Sequence, residues 1–243
     1  MRRTILLAVI IAIAHAAGAQ AAVRPPGLPT PYANEQLSDE RTITRWAHDL
    51  LPGTIYRNPW IKSPIVGRLH RLTEDGEFEV YLVLESHIDS VGQTWMRVRI
   101  PKRPNGNTGW VKASNLADLV LVRTMLRVNR KTLRATLYKR GKVIWTSRIG
   151  VGTRATPTPS GHFYVRELLS NLGGNGVYGP WAFGTSAYSV LSDWPGGGVV
   201  GVHGTNEPHL IPGRPSHGCI RVPNANIRRL VKLMPLGTPI EIV

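Results

Sequence analysis

The sequence predicts a mostly β fold with a single helix near its end. Its 243 residues include 25 glycines and 19 prolines, a composition rich in turn-forming residues. Several short segments alternate apolar and polar residues, as strands with one buried face do. Residues 224–234 instead show helical spacing, with apolar residues at i, i+3, i+4 and i+7: Ile227, Leu230, Val231 and Met234. We expect Asn224 to cap this helix, and Pro235 and Gly237 to end it.

The first residues are typical of an export signal. Arg2 and Arg3 give a positive start, and residues 5–13 form an apolar stretch that is too short to span a bilayer comfortably. Small residues follow at spacings that suit cleavage, so residues 1–21 are predicted to be a signal peptide. An uncut signal that anchors the chain is the alternative. Either way, we expect an exported protein that works in the periplasm or cell wall.

Residues 22–50 are predicted to be a linker and lead-in. The proline-rich run at residues 25–31 (PPGLPTP) is incompatible with a helix or a central strand. Residues 38–50 are ambiguous, and a short helix is one interpretation.

Residues 51–119 are predicted to form a small β-barrel. The segment 78–84 alternates, with every second residue apolar: Phe78, Val80, Leu82 and Leu84. Met96, Val98 and Ile100 repeat the pattern, while Arg97 and Arg99 point the other way. Residues 53–59, Trp95 and residues 109–112 resemble the bacterial Src-homology-3-like domain, a module that often accompanies cell-wall enzymes.

Residues 120–243 are predicted to form a second, mostly β domain. Apolar periodicity indicates strands at residues 125–129, 132–138, 142–150, 162–166, 197–203 and 238–243. Residues 171–198 are rich in glycine and aromatic residues, which favours a long loop of the kind that forms lids or binding surfaces.

The chain is strongly basic, with a net charge of +15. Residues 1–21 contribute two arginines and no acidic residue, so the remainder carries +13. Such a surface attracts polyanions. The basic residues form no nucleic-acid recognition motif, and export also makes nucleic acid an unsuitable partner. We therefore expect anionic cell-wall polymers or lipid headgroups as generic partners.

Cys219 is the only cysteine and lies in residues 216–221, SHGCIR. A lone cysteine in an exported protein has no internal disulfide partner. An inert buried thiol is one interpretation, because free cysteine packs like a small apolar residue. His217 stands two residues before it, and His203 follows an apolar segment at residues 199–202. One thiol with two nearby imidazoles favours nucleophilic catalysis.

A thiol needs a base or a setting that favours the thiolate in order to react at neutral pH. We expect His203 to be the general base and His217 to contact the substrate or support the site. Gly218 allows a tight backbone, and the amides of Gly218 and Cys219 are expected to donate to a developing oxyanion.

Metal binding through His203, His209, His217 and Cys219 is the rival interpretation. Structural zinc sites usually use cysteine pairs at short spacing, and the chain has no second cysteine. We therefore predict no metal and no cofactor.

The sequence HGTN at residues 203–206 followed by SHGCIR at 216–221 resembles the active-site signature of the L,D-transpeptidase (YkuD-type) catalytic domain. Residues 156–163 and 222–224 resemble its flanking motifs. The resemblance implies a β-sandwich-like domain at residues 120–243, with one helix after the catalytic cysteine. It also implies that Cys219 is the nucleophile, that His203 is the general acid/base, that the Gly204 carbonyl orients His203, and that four residues line the site: Ser216, His217, Gly218 and Arg221.

The resemblance further implies peptidoglycan stem peptides as partners and formation of 3→3 cross-links through a cysteinyl thioester. Arg221 is a candidate for binding a stem carboxylate, because guanidinium suits planar bidentate pairing. Three alternatives stay open: an L,D-carboxypeptidase that transfers the acyl group to water, an enzyme that anchors a protein to the wall, and a non-catalytic wall-binding protein. The complete set of reactive residues argues against the last. The oligomeric state is left open.

Overall fold

The computed structural model describes residues 34–170, 176–193 and 195–243. The predicted signal at residues 1–21, residues 22–33 of the predicted linker and lead-in, and residues 171–175 and 194 of the glycine-rich region lie outside these ranges. Within them, no helix has the length and apolar character needed to cross a membrane.

The first sheet contains eight strands, in the order β4-β3-β7-β6-β5-β2-β8, with β1 paired to β5. Their bounds are β1 (Glu35–Gln36), β2 (Thr44–Ala47), β3 (Thr54–Tyr56), β4 (Ile65–Arg68), β5 (Tyr81–Ile88), β6 (Thr94–Arg99), β7 (Thr108–Lys112) and β8 (Val120–Val122).

The alternation predicted for residues 96–100 is confirmed, because Val98 and Ile100 are buried while Arg97 and Arg99 pair with acidic side chains. The alternation predicted for residues 78–84 is wrong: Phe78 is exposed, and residues 80–83 are all buried. The physical reason is that β5 is covered on both faces. Tyr81 and Val83 face the core of the first sheet, whereas Val80 and Leu82 pack against Tyr164 of the second sheet.

The helical interpretation of residues 38–50 is also wrong, because residues 44–47 form the strand β2, which pairs with β5 and β8. Trp46 of this strand packs directly over Gly237, where an added Cβ would meet the indole ring. The lead-in is therefore part of the first sheet and touches the second.

The second sheet contains ten strands, in the order β11-β10-β9-β18-β13-β14-β15-β17-β12-β16. Their bounds are β9 (Thr124–Asn129), β10 (Arg134–Lys139), β11 (Lys142–Arg148), β12 (Gly150–Gly152), β13 (Gly161–Ser170), β14 (Trp181–Tyr188), β15 (Val199–His203), β16 (Gly213–Ser216), β17 (Ile220–Arg221) and β18 (Pro239–Ile242). The mostly β fold with one helix is thus as predicted.

The region 171–198 is not one long loop, because residues 181–188 form β14 between β13 and β15. Gly184 lies in this strand opposite Glu167 of β13, and a Cβ there would collide with the Glu167 carboxylate. Glycine in this strand therefore reflects close packing rather than a turn.

The predicted helix is present as α1 (Asn224–Val231), shorter than the predicted 224–234. Ile227 and Leu230 of this helix are buried, as the apolar spacing predicted. The predicted cap is wrong, because Pro223 occupies the N-cap position. The Asn224 side chain instead accepts a hydrogen bond from the Thr205 amide, 2.8 Å away.

A buried charged pair joins the two sheets. Arg166 of β13 donates through Nε to Glu79, 2.8 Å away, and both side chains are only 2% exposed. A second carboxylate, Glu74, lies 2.9 Å from the same guanidinium. Tyr164 adds a hydrogen bond of 2.8 Å from its hydroxyl to the Val80 carbonyl. Burial makes these polar groups depend on one another, because an unpaired charge there has no solvent to replace its partner.

Glu79→Gln should lower the free energy of unfolding by about 3 kcal/mol, because it leaves Arg166 buried with a weakened partner. The matched control is Glu85→Gln, which breaks a more exposed pair with Arg97 and should cost less than about 1 kcal/mol. Urea denaturation of the two variants measures the difference. Equal losses would show that burial does not set the value of the Arg166 pair.

Candidate active site

Two neighbouring strands bring Cys219 and His203 together. β15 ends at His203, β17 begins one residue after Cys219, and the two strands are parallel, with Val202 opposite Ile220. Gly201 of β15 donates its amide hydrogen to the Cys219 sulfur at 3.3 Å. The sulfur therefore lies against the strand that carries the histidine.

The absence of a side chain at Gly201 opens the space between the two groups. A Cβ there would lie 3.6 Å from the His203 ring and 3.9 Å from the Cys219 sulfur. The His203 ring and the Cys219 sulfur thus lie on either side of the space that a Gly201 side chain would fill. Both line a small cleft of about 50 Å³, together with nine other residues: Val177, Tyr178, Ser189, Gly198, Val199, Val200, Ser216, His217 and Arg221.

The orientation of His203 is fixed by a backbone carbonyl. Its Nδ1 lies 2.6 Å from the Gly204 oxygen, and the edge of the Tyr178 ring packs against it with centroids 4.9 Å apart. A carbonyl only accepts hydrogen bonds, so Nδ1 carries the proton. Nε2 is then the nitrogen with a free lone pair, which is the atom that a general base needs.

Burial holds both groups in their neutral forms. Burial lowers the pKa of His203 to about 4. The hydrogen bond to Gly204 opposes this shift by raising the pKa, and the positive charge of Arg221 lowers it further. Burial also raises the pKa of the Cys219 thiol, and this effect outweighs the Gly201 hydrogen bond and the charge of Arg221, which both lower it. Both shifts favour the neutral pair, a thiol and an imidazole, over a thiolate and an imidazolium.

The loop before Cys219 is held by short hydrogen bonds. The Ser216 hydroxyl donates to the Cys219 carbonyl at 2.6 Å, and the Thr158 hydroxyl donates to the Gly218 carbonyl at 2.8 Å. Gly218 has a φ of +128°, in the region that favours glycine. Its amide donates to the Ser216 hydroxyl at 3.3 Å. One of the two predicted oxyanion donors is thus directed at Ser216, and the Cys219 amide stays the other predicted donor.

Arg221 lines the cleft but is already paired. Its Nη1 lies 2.7 Å from the Glu207 carboxylate, and its side chain is 12% exposed. His217 is exposed and lines the cleft, whereas His209 lies in a 3₁₀ turn outside it. Across the described ranges, no three His, Cys, Asp or Glu residues are arranged to hold a metal ion.

Several residues around the site were not predicted from the sequence, and four of them show why. Tyr178 and Ser189 line the cleft, Thr158 holds the Gly218 carbonyl, and Asn224 binds the amide after Gly204. Thr158 and Asn224 fall inside the flanking motifs, which was a usable signal. Tyr178 and Ser189 lie in the glycine-rich region, where spacing alone offers no means of assigning contacts.

Alkylation of Cys219 by iodoacetamide should accelerate continuously from pH 6 to pH 9. The pKa of the thiol is raised, so the reactive thiolate becomes more abundant throughout this range. Mass spectrometry of the intact protein gives the rate at each pH. Cys219→Ser is the control and should take up no label. A rate that levels off below pH 7 would indicate a thiolate–imidazolium pair and contradict the neutral pair.

A family model of the L,D-transpeptidase catalytic domain, YkuD, matches residues 123–242. The chain is 34% identical over 125 residues to a Bacillus licheniformis protein named as an L,D-transpeptidase, YkuD, covering 51% of this chain and 67% of that protein. A protein of the same name from Bacillus subtilis is 35% identical over 115 residues, covering 47% and 62%. A crystal structure of Enterococcus faecium L,D-transpeptidase matches with 27% identity and a TM-score of 0.39, over 49% of each chain.

The chain thus spans about two thirds of the length of these two curated relatives and about half of the crystallised chain. The family match contains every strand of the second sheet, the helix, and both His203 and Cys219. The chain belongs to the family of L,D-transpeptidase (YkuD) catalytic domains.

Proposed function

We propose that the protein is a cysteine-dependent L,D-transpeptidase that joins peptidoglycan stem peptides by 3→3 cross-links. The observation that carries the proposal is the placement of a thiol and an imidazole oriented by the Gly204 carbonyl at one cleft. The family supplies the reaction class, acyl transfer in the cell wall.

In the first half-reaction, Cys219 attacks the carbonyl of the third stem residue, a diamino acid whose carboxyl group is bound to D-alanine. His203 Nε2 takes the thiol proton as the carbon–sulfur bond forms, and negative charge passes to the carbonyl oxygen. The Cys219 amide faces that oxyanion in the proposed geometry. Collapse breaks the bond to D-alanine, and the imidazolium protonates the leaving amine. A thioester on Cys219 remains.

The depressed pKa of His203 suits the second proton transfer. An imidazole whose pKa is about 4 becomes a strong acid once it is protonated, so it gives its proton readily to the departing amine. It is a correspondingly weak base toward the thiol. His203 can therefore take the thiol proton only if the sulfur attacks the carbonyl in the same step, so that the negative charge passes to the carbonyl oxygen.

In the second half-reaction, the side-chain amine of a neighbouring stem attacks the thioester. His203 removes a proton from this amine, the carbon–sulfur bond breaks, and the thiol is regenerated. Water in place of the amine would make the enzyme an L,D-carboxypeptidase, and a protein amine would make it an anchoring enzyme.

Arg221 would assist the reaction in two ways. Its charge favours both the neutral imidazole and the thiolate, as the pKa shifts of His203 and Cys219 show. We also propose that a stem carboxylate competes with Glu207 for its guanidinium, because Glu207 is the more exposed partner of that pair.

Export to the periplasm or cell wall is part of the proposal, because the substrate lies there. A net charge of +13 without residues 1–21 would concentrate the enzyme near anionic wall polymers.

Incubation of the protein with a tetrapeptide stem should add the mass of the acyl group to Cys219. Cys219→Ala should lose this adduct. His203→Gln should slow acylation by roughly 10²–10⁴-fold, the usual contribution of general acid–base catalysis. His209→Gln removes a histidine outside the cleft and should leave the rate unchanged. Unchanged acylation of the His203 variant would transfer the base role to His217, and an active Cys219→Ala protein would overturn the proposal.

With an acceptor stem present, the product should be a 3→3 linked dimer. Muropeptide analysis by mass spectrometry, with and without the acceptor, separates transfer from hydrolysis. A tripeptide as the sole product in both mixtures would identify a carboxypeptidase.

A further inference from the structure

One wall of the cleft is formed by the connection between β14 and β15. We call residues 188–193 and 197–199 the cleft wall. Ser189, Gly198 and Val199 line the cleft beside Cys219. The Ser189 hydroxyl donates to the His217 carbonyl at 2.9 Å, so the wall adjoins the loop that carries the thiol.

An arginine in a loop of the first sheet binds both segments of this wall, residues 188–193 and 197–199. Arg103 lies between β6 and β7, and its guanidinium donates to three wall carbonyls, those of Ser189 at 3.0 Å, Leu191 at 2.8 Å and Gly197 at 2.9 Å. It also lies over the Tyr188 ring, 4.8 Å from its centroid. A planar guanidinium has the spread of donors needed to hold separate carbonyls at once.

A second side chain of the same loop binds the start of the wall. Asn105 donates to the Tyr188 carbonyl at 2.9 Å and accepts from the Tyr188 amide at 2.9 Å. The Tyr188 hydroxyl lies 2.6 Å from Glu74 and 3.0 Å from the Pro101 carbonyl, both in the first sheet's part of the chain. The wall is therefore bonded to the first sheet through its backbone and through this side chain.

The reacting pair is held differently. His203 and Cys219 are placed by the pairing of β15 with β17 and by hydrogen bonds from within the second sheet. Arg103 makes its contacts with the wall instead. Loss of Arg103 should therefore disturb the surface against which a substrate lies, and leave the intrinsic reactivity of the thiol in place.

We infer that Arg103, supported by Asn105, is a positioning residue that holds the cleft wall in the shape that captures an acyl substrate. A side chain from the first sheet's part of the chain thereby affects the rate of acylation at the site in the second sheet. This inference rests on the proposed function for its substrate, a stem peptide, and extends it to a part of the chain outside the family match at residues 123–242.

The test compares the full chain with Arg103→Ala, Arg103→Lys and Arg68→Ala. Arg68 is an exposed arginine at the end of β4, so its removal controls for the loss of one positive charge from the same sheet. Arg103→Ala should reduce the second-order rate of acylation by a tetrapeptide stem by roughly tenfold or more, since small misplacements around a reacting centre are costly. Its alkylation by iodoacetamide should match wild type. Arg103→Lys should recover only part of the loss. An ammonium group keeps the positive charge but lacks the planar set of donors that reaches separate carbonyls.

Hydrogen exchange supplies a readout that does not depend on the substrate. Amides of the cleft wall should exchange faster in Arg103→Ala than in wild type or Arg68→Ala, while those of β15 should not change. Unchanged exchange in the wall, or unchanged acylation in Arg103→Ala, would overturn the inference. If the wild-type protein itself is not acylated, the proposed function fails, and exchange alone decides whether Arg103 holds the wall.

Discussion

The parallel pairing of β15 with β17 is the constraint on which the site depends. Strand residues alternate between the two faces of a sheet, so a slip of one residue would send the histidine or the cysteine region to the wrong face. In the observed register, Val202 lies opposite Ile220 and His203 lies opposite Arg221, so Cys219 and His203 reach the same cleft. Both strands are also enclosed, because β14 lies beyond β15 and β12 lies beyond β17. The alignment of two short segments thus becomes a property of the whole sheet.

The neutral state of the reacting pair follows from the same enclosure. A charge in a buried site is costly, so the thiol keeps its proton and the imidazole does not gain one. Thiolates, rather than thiols, react readily with oxidants. Under the proposed function, a lone cysteine of this kind would stay reduced in an oxidising compartment and would react once a substrate carbonyl is present to receive the charge. In that proposal, catalysis and protection from oxidation have one physical origin.

The sequence predicted that Cys219 and His203 lie at one site better than it predicted what surrounds them. Cys219 was conspicuous as the single cysteine, and the motif around it led to His203 and to the carbonyl of Gly204. The structure places that carbonyl 2.6 Å from His203 Nδ1. By contrast, β14 escaped prediction because the many glycines of residues 171–198, in which it lies, are typical of loops. The burial of β14 comes from pairing with β13 on one side and β15 on the other, which the local residue pattern does not reveal. Asn224 was expected to cap α1 because its type suits a cap, but tertiary contact with Thr205 claimed its side chain.

The position of β18 has a consequence for how the molecule assembles. This strand lies between β9 and β13, so the meander β9–β11 joins the rest of the second sheet only through it. Its partner β9 is more than a hundred residues away in sequence, and contacts of such separation form late and slowly. A ribosome delivers β18 after every other strand of the sheet. The edges of β9 and β13 that β18 covers therefore stay unpaired until the last strand has been synthesised, and such edges are open to pairing with other chains.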